Sequence, residues 1–226
     1  MRCVWISICL FIAACQPSLV DYASRTHVVR PGDTLYTIAW TYGVDYRSLA
    51  RWNSINDPDR ILVGQRLNLR QGSGFRPASS GSSTTSTGPR AAPLPEPVTL
   101  PAPQWQWPTR GNVVMNFGSK DGIDSGIGIT GANGQPIVAS ADGRVVYAGA
   151  GLIGYGQLVI IKHNDTYLSA YGHTEQVRVS QGQDVQKGQQ IAQMGIGPQR
   201  QPRLHFEIRR NGRPVDPMGF LASARR

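Results

Sequence analysis

Two regimes of hydrophobic patterning divide the chain, and a stretch without pattern separates them. His27-Val28-Val29-Arg30 predicts a short strand, which Pro31-Gly32-Asp33-Thr34 breaks. Leu35, Ile38 and Ala39 then recur at helical spacing behind a cap at Asp33 or Thr34, and Gly43 is placed to end that helix. Asp45 can cap a second helix carrying Leu49 and Trp52. Asn53 to Asp59 reads as a loop, and Ile61 to Leu69 as a returning strand with Leu67 and Leu69 on one face. The order strand, helix, helix, strand over residues 26–70 predicts a small α/β unit.

Beyond residue 104 the pattern changes to short β-branched runs between glycine turns. They are Asn112–Met115, Gln135–Ala139, Gly143–Ala148, Gln157–His163, Thr166–Tyr171, Gln189–Met194 and Leu204–Arg209. Strands at this spacing predict a mainly antiparallel β domain over residues 105–221, a sandwich or barrel-like sheet, with Asn211-Gly212 as a hairpin turn and 222–226 as a tail. Residues 71–104 are rich in Ser, Thr, Gly, Pro and Ala and cannot bury enough apolar surface to offset ordering entropy. They read as a disordered linker with a reach of roughly 30 Å, and so predict two segments that move independently.

The chain opens on Arg2 and a short apolar run closing on Ile12-Ala13-Ala14-Cys15, the pattern of a secretory signal over residues 1–14 rather than of a membrane span. Two of the three cysteines, Cys3 and Cys9, lie inside that signal, so the mature chain has no pair to bridge. The net charge of +9 becomes +8 when Arg2 leaves with the signal. A cytoplasmic chain of this charge would suggest nucleic acid; an exported one suits peptidoglycan, anionic lipid or an acidic partner, and solubility alone would also account for it.

The end of the signal resembles a bacterial lipobox, which implies cleavage before Cys15, acylation of that residue, and a lipidated tether over residues 15–25. An ordinary cut after Ala14 would leave Cys15 a free thiol instead. Gln16, in place of Asp, implies outer-membrane retention facing the periplasm by the sorting rule of enteric-type lipoproteins. Val28–Leu35, Arg51-Trp52-Asn53 and Leu62–Leu67 together resemble the LysM module. That resemblance implies binding of glycan strands through the loop after the first strand and the loop before the last, with Gly32, Asp33, Thr34, Asn53 and Ile61 as candidates. Gly32 would let the backbone approach a sugar, Asp33 and Asn53 would offer polar atoms, and Ile61 an apolar edge; Leu35 and Trp52 fit the core better.

Gly122–Ile129, Ser169–His173 and Arg203–Ile208 resemble the lysostaphin-type, LytM-like peptidoglycan endopeptidases, whose active members read His-x-x-x-Asp and His-x-His in the first and last segments. Asp124 stands where a ligand His would be, Gly128 where the ligand Asp would be, and Arg203 where the first His of the final pair would be. His173 and His205 remain. A catalytic zinc needs about three protein ligands and an open position, and a guanidinium can be neither ligand nor base. The expectation is therefore no metal, no cofactor and no catalytic residue, with Asp124, Ser125, Gly128, His173, Arg203 and His205 lining a partner-binding groove. His173 and His205 could instead be hydrogen-bonded core residues, and Arg203 a solvated surface charge. A lipobox, one LysM, a linker and a degenerate LytM domain in that order resemble the NlpD-type lipoproteins. That resemblance implies a non-catalytic activator of a periplasmic N-acetylmuramoyl-L-alanine amidase acting in septal peptidoglycan splitting; a zinc-dependent endopeptidase and a passive wall anchor are the alternatives.

Overall fold

The computed structural model describes residues 26–70, 99–119 and 125–221. Cys15 with its signal, the linker through residue 98, Asp124 and the tail lie outside the described residues. The first module runs β1 (Thr26–Val28), α1 (Leu35–Tyr42), α2 (Tyr46–Trp52) and β2 (Arg66–Asn68), with β1 and β2 antiparallel. Thr34 caps α1 in a capping box with Thr37, and Gly43 ends the helix at a φ of +63°. Asp45 accepts from the Arg47 amide at the start of α2.

The last strand is shorter than the pattern predicts. Residues 62–65 form a turn, closed by Gln65 N donating to Leu62 O, and Gly64 sits at a φ of +87° that side chains disfavour. The turn pushes Leu62 and Val63 into solvent at 75% and 66% exposure. Leu35 is fully buried, whereas Trp52 is only partly so.

The second module is one antiparallel sheet. Its strands are β3 (Val113–Met115), β4 (Ile127–Thr130), β5 (Pro136–Val138), β6 (Gly143–Gly149), β7 (Gln157–Lys162), β8 (Tyr167–Glu175), β9 (Asp184–Val185), β10 (Gln190–Met194), β11 (Arg203–Arg210) and β12 (Arg213–Val215), followed by the short helix α3 (Met218–Leu221). The main order is β3-β4-β11-β8-β7-β6-β9; β10 pairs with β5 and β8, and β12 with β11. Strands β4, β9 and β12 are shorter than or lie outside the runs that periodicity picks out.

Alternation along β11 sorts its residues between the two faces of the sheet. Leu204, Phe206 and Ile208 join Ile127, Ile129, Val159, Ile161 and Tyr171 in the main core. His205, Glu207 and Arg209 point to the other face, opposite Gly172, Ala170 and Leu168 of β8. That second face is apolar too: Val146, Leu158, Ile160, Leu168 and Ala170 form one cluster with Leu35, Ile38, Trp40 and Leu49 of the first module.

The two modules are therefore docked, in contrast to the independent motion expected from the linker. Four consecutive residues of β7, Leu158–Ile161, are fully buried because β7 is covered on both faces. Polar contacts pin the seam. Tyr46 donates to Asp165 at 2.9 Å, Arg47 to Asn211 at 2.8 Å, and Trp40 to the Tyr155 hydroxyl at 3.2 Å. Residues at the end of the expected linker also lie on the sheet module, where Leu100 N donates to Thr166 at 2.8 Å.

Beneath the main core, His163 bonds the Asp142 carbonyl and the Ser169 hydroxyl, both at 2.7 Å, with Trp105 edge-on to its ring. Burial pushes this imidazole down to about 4. The unfolded chain takes up a proton near pH 6.5 that the folded chain refuses, so stability falls as pH drops from about 6.5 toward 4. We expect a slope of about 1 kcal/mol per pH unit in that window, measured by denaturant unfolding, and a flatter profile for His163→Gln.

Candidate functional site

The structure brings Ser125, Gly128, His173, Arg203 and His205 to one end of the second sheet face. Strand β11 is flanked there by β4 and β8, with His205 facing Gly128 on one side and Gly172 on the other. Gly126 also clears room for the imidazole, since a Cβ there would stand 2.9 Å from His205 Cε1. His205 is 5% exposed and His173 9%, with ring centroids 6.4 Å apart. Burial, aided by the charges of His205 and Arg203, pushes the His173 imidazole down to about 4, so it is neutral at physiological pH.

Arg203 is 9% exposed and lines a cleft. Its aliphatic stem occupies the space beside Gly128: a Cβ at that glycine would lie 3.1 Å from Arg203 Cδ and 3.0 Å from Met115 Cβ. The two departures from the peptidase pattern are thus one packing event, in which the arginine fills the room left by the missing carboxylate. Beyond it opens a cleft of about 620 Å³, lined by Met115, Asn116, Ser119, Gln199, Gln201 and Arg203 among others. Gln199, which lines this cleft, sits at a left-handed φ of +64°; Arg200 beside it is at +55°, and His173 on the same face at +56°. Each such residue costs on the order of 1 kcal/mol and persists only where surrounding structure imposes it.

These residues do not fit a catalytic zinc. Two histidines, a glycine and a buried cation fall short of three ligands around an open position. Among the described residues no group of three His, Cys, Asp or Glu side chains stands close enough to hold a metal ion.

Sequence reasoning missed the group that organises this face. Glu207 has no exposure, and its Oε2 accepts from Ser125 at 2.9 Å and Tyr155 at 3.1 Å, with His205 Nε2 at 3.5 Å. Its Oε1 accepts from Arg209 Nε at 2.6 Å. Burial works to raise this carboxyl, but the Arg209 charge and the His205 contact outweigh it and hold it below the usual carboxylate range. Burial and the Glu207 charge raise the Tyr155 phenol, so it stays a donor. The alternation of His205, Glu207 and Arg209 in β11 was the available signal.

In the first module, Gly32 is exposed at φ +84° with open space around it, and Ile61 is partly exposed. Asp33 is engaged inside the module, accepting from the Arg30 amide at 2.9 Å and bonding His27 at 2.8 Å. Thr34 is taken up by its capping box. Asn53 donates both amide hydrogens, to Leu49 O and Asn68 O, and accepts from Asn68 N at 2.7 Å. The exposed pair Leu62 and Val63 went unnoticed because the sequence reads as strand there.

Residues 27–70 match the LysM domain, and residues 122–217 match peptidase family M23. A protein named as a lipoprotein NlpD/LppB homolog in Pseudomonas aeruginosa is 38% identical, over 95% of this chain and 89% of its own length. The chain belongs to the NlpD/LppB family. The murein hydrolase activator NlpD of Escherichia coli is 38% identical over 89% of this chain and 69% of its own length, and the lipoprotein YgeR of that organism 40% identical over 96% and 90%. The family architecture of one LysM and one M23 domain is thus present in this chain.

Restoring one ligand should not restore a metal site here. Gly128→Asp forces its Cβ against Met115 and Arg203, so overpacking should cost about 1–3 kcal/mol of stability. Zinc content after dialysis should stay at background; stoichiometric zinc in the purified variant would contradict this account of the pocket.

Proposed function

We propose that this chain is a non-catalytic, lipid-anchored outer-membrane protein that binds peptidoglycan and activates a periplasmic N-acetylmuramoyl-L-alanine amidase for septal splitting. The observation that carries the reading is Arg203 packed beside Gly128, a cation and a bare backbone at the two positions where the peptidase resemblance implies the first His of the final pair and a ligand Asp. A relative named as a murein hydrolase activator supports it. The names of two relatives as lipoproteins support acylation of Cys15.

Activation needs no chemistry from the activator. It requires only tighter binding to the open form of the amidase than to the closed one, by a few kcal/mol. The groove formed around Ser125, Gly128, His173, Arg203 and His205 offers a carboxylate on the partner a guanidinium with few competing acceptors, since no hydrogen bond joins Arg203 to another described side chain. Glycan binding falls to the loop at Gly32 and to Ile61 with its exposed neighbours Leu62 and Val63. Asn53 supports that surface by clamping α2 to β2.

Incubating the purified chain with peptidoglycan, alone and with a cognate amidase, tests the proposal directly. Digestion only in the mixture is expected. Digestion by the chain alone would point to an endopeptidase, and none in either case to a wall anchor. Arg203→Glu should weaken stimulation of the amidase at least tenfold while the far-ultraviolet circular dichroism of the fold is retained; undiminished stimulation would remove Arg203 from the contact.

A further inference from the structure

Trp40 lies in the last turn of α1, and three of its groups reach across the seam. Its ring covers the Arg209 guanidinium at 3.7 Å, its carbonyl accepts from Arg209 Nη1 at 2.7 Å, and its indole donates to the Tyr155 hydroxyl at 3.2 Å. A cation at the carbonyl end of a helix is favourable, and a desolvated cation on an indole face is more so. Both partners of Trp40 are also ligands of Glu207, Arg209 through Oε1 and Tyr155 through Oε2. Glu207 in turn holds Ser125 and touches His205. One residue of the LysM module is thus three bonds from the groove.

We propose that Trp40 is a positioning residue for the groove: the docked LysM module fixes Arg209 and Tyr155, and through Glu207 holds Ser125 and His205 in the arrangement presented to the partner. The functional consequence rests on the amidase-activator reading; the structural one does not. Arg209 has many rotamers, and without the indole it loses the ring that covers it and keeps only the backbone carbonyl of residue 40. Tyr155 loses the donor that orients its hydroxyl. The carboxylate they share is fully buried, so any slack in them is transmitted to its remaining partners, and the glycine floor at Gly126 leaves His205 room to follow. The docked arrangement keeps the loops assigned to glycan open, with Leu62 and Val63 in solvent and nothing within 4 Å of a Cβ at Gly32. Both modules can therefore work at once.

The test compares two full-chain variants that open the seam from different places. Trp40→Ala removes the ring over Arg209 and the indole donor to Tyr155, leaving the backbone carbonyl. Gly212→Asn leaves Trp40 and the Glu207 network untouched but puts a Cβ 2.5 Å from the backbone of Val44 and Asp45, in a left-handed turn position that Asn tolerates. Amide resonances of Ser125, Gly126 and Gly128 should move in the same direction in both variants. Glycan binding should persist in Gly212→Asn, and the concentration for half-maximal amidase stimulation should rise about tenfold, equivalent to ~1.4 kcal/mol. Groove resonances that stay in place in Gly212→Asn while those of α1 shift would overturn the proposal, whatever becomes of the LysM fold in Trp40→Ala. If the unaltered chain does not stimulate the amidase, the activator reading fails, and the resonances still decide the positioning role.

Discussion

A carboxylate with no exposure has to be neutralised where it stands, and Glu207 sets the terms for everything on its face of the sheet. Its position in β11 follows from alternation: with Leu204, Phe206 and Ile208 committed to the core, the residues between them must face the other way. Glu207 then needs a cation, and Arg209 is the next residue on that face. Arg209 is itself buried and needs cover and acceptors for the rest of its fork, which Trp40 supplies. The seam between modules is thus a consequence of burying one charge, as much as of burying the apolar surface around Leu158 and Ile160. Breaking such a pair costs far more than forming it yields, since the survivor is left charged and dry.

At the other end of the same face, a glycine and an arginine far apart in the chain pack against each other. Close packing tolerates no hole beside Gly128, and the stem of Arg203 fills it together with Met115. Arg203 lines the cleft together with Gln199, Gln201 and Asn116. A guanidinium is a planar fork suited to a carboxylate and cannot serve as a metal ligand. The left-handed backbone at His173, Gln199 and Arg200 persists there at a cost in stability, because the surrounding structure imposes it.

Much of this was legible before any coordinates. Caps at Thr34 and Asp45, the stop at Gly43 and the Asn211-Gly212 turn are local chemistry, and local chemistry reads directly from sequence. Leu62 and Val63 have strand propensity, but the turn at Gly64 overrides it, and these apolar residues end in solvent. The identity of Gly128 and Arg203 was plain, but their mutual packing was not, since it joins residues far apart in the chain. Docking left a trace that went unread. Leu158-Val159-Ile160-Ile161 has no alternation, which signals a strand covered on both faces, and the second cover has to come from outside the sheet.

Docking also changes what the linker is for. Two modules on a free tether gain effective concentration only in proportion to how often the tether's ends fall at the right separation. Here the seam fixes that separation in the described residues: the loop at Gly32 and Leu62 and the cleft at Arg203 belong to one body, joined through Trp40, Arg209 and Tyr155. Orientation between the modules then comes from the seam. A glycan strand held by the first module and a protein seated in the groove would be presented to each other in a set geometry, with little entropy left to lose on the second binding event. The buried pair at Glu207 and Arg209 is what makes that geometry stiff.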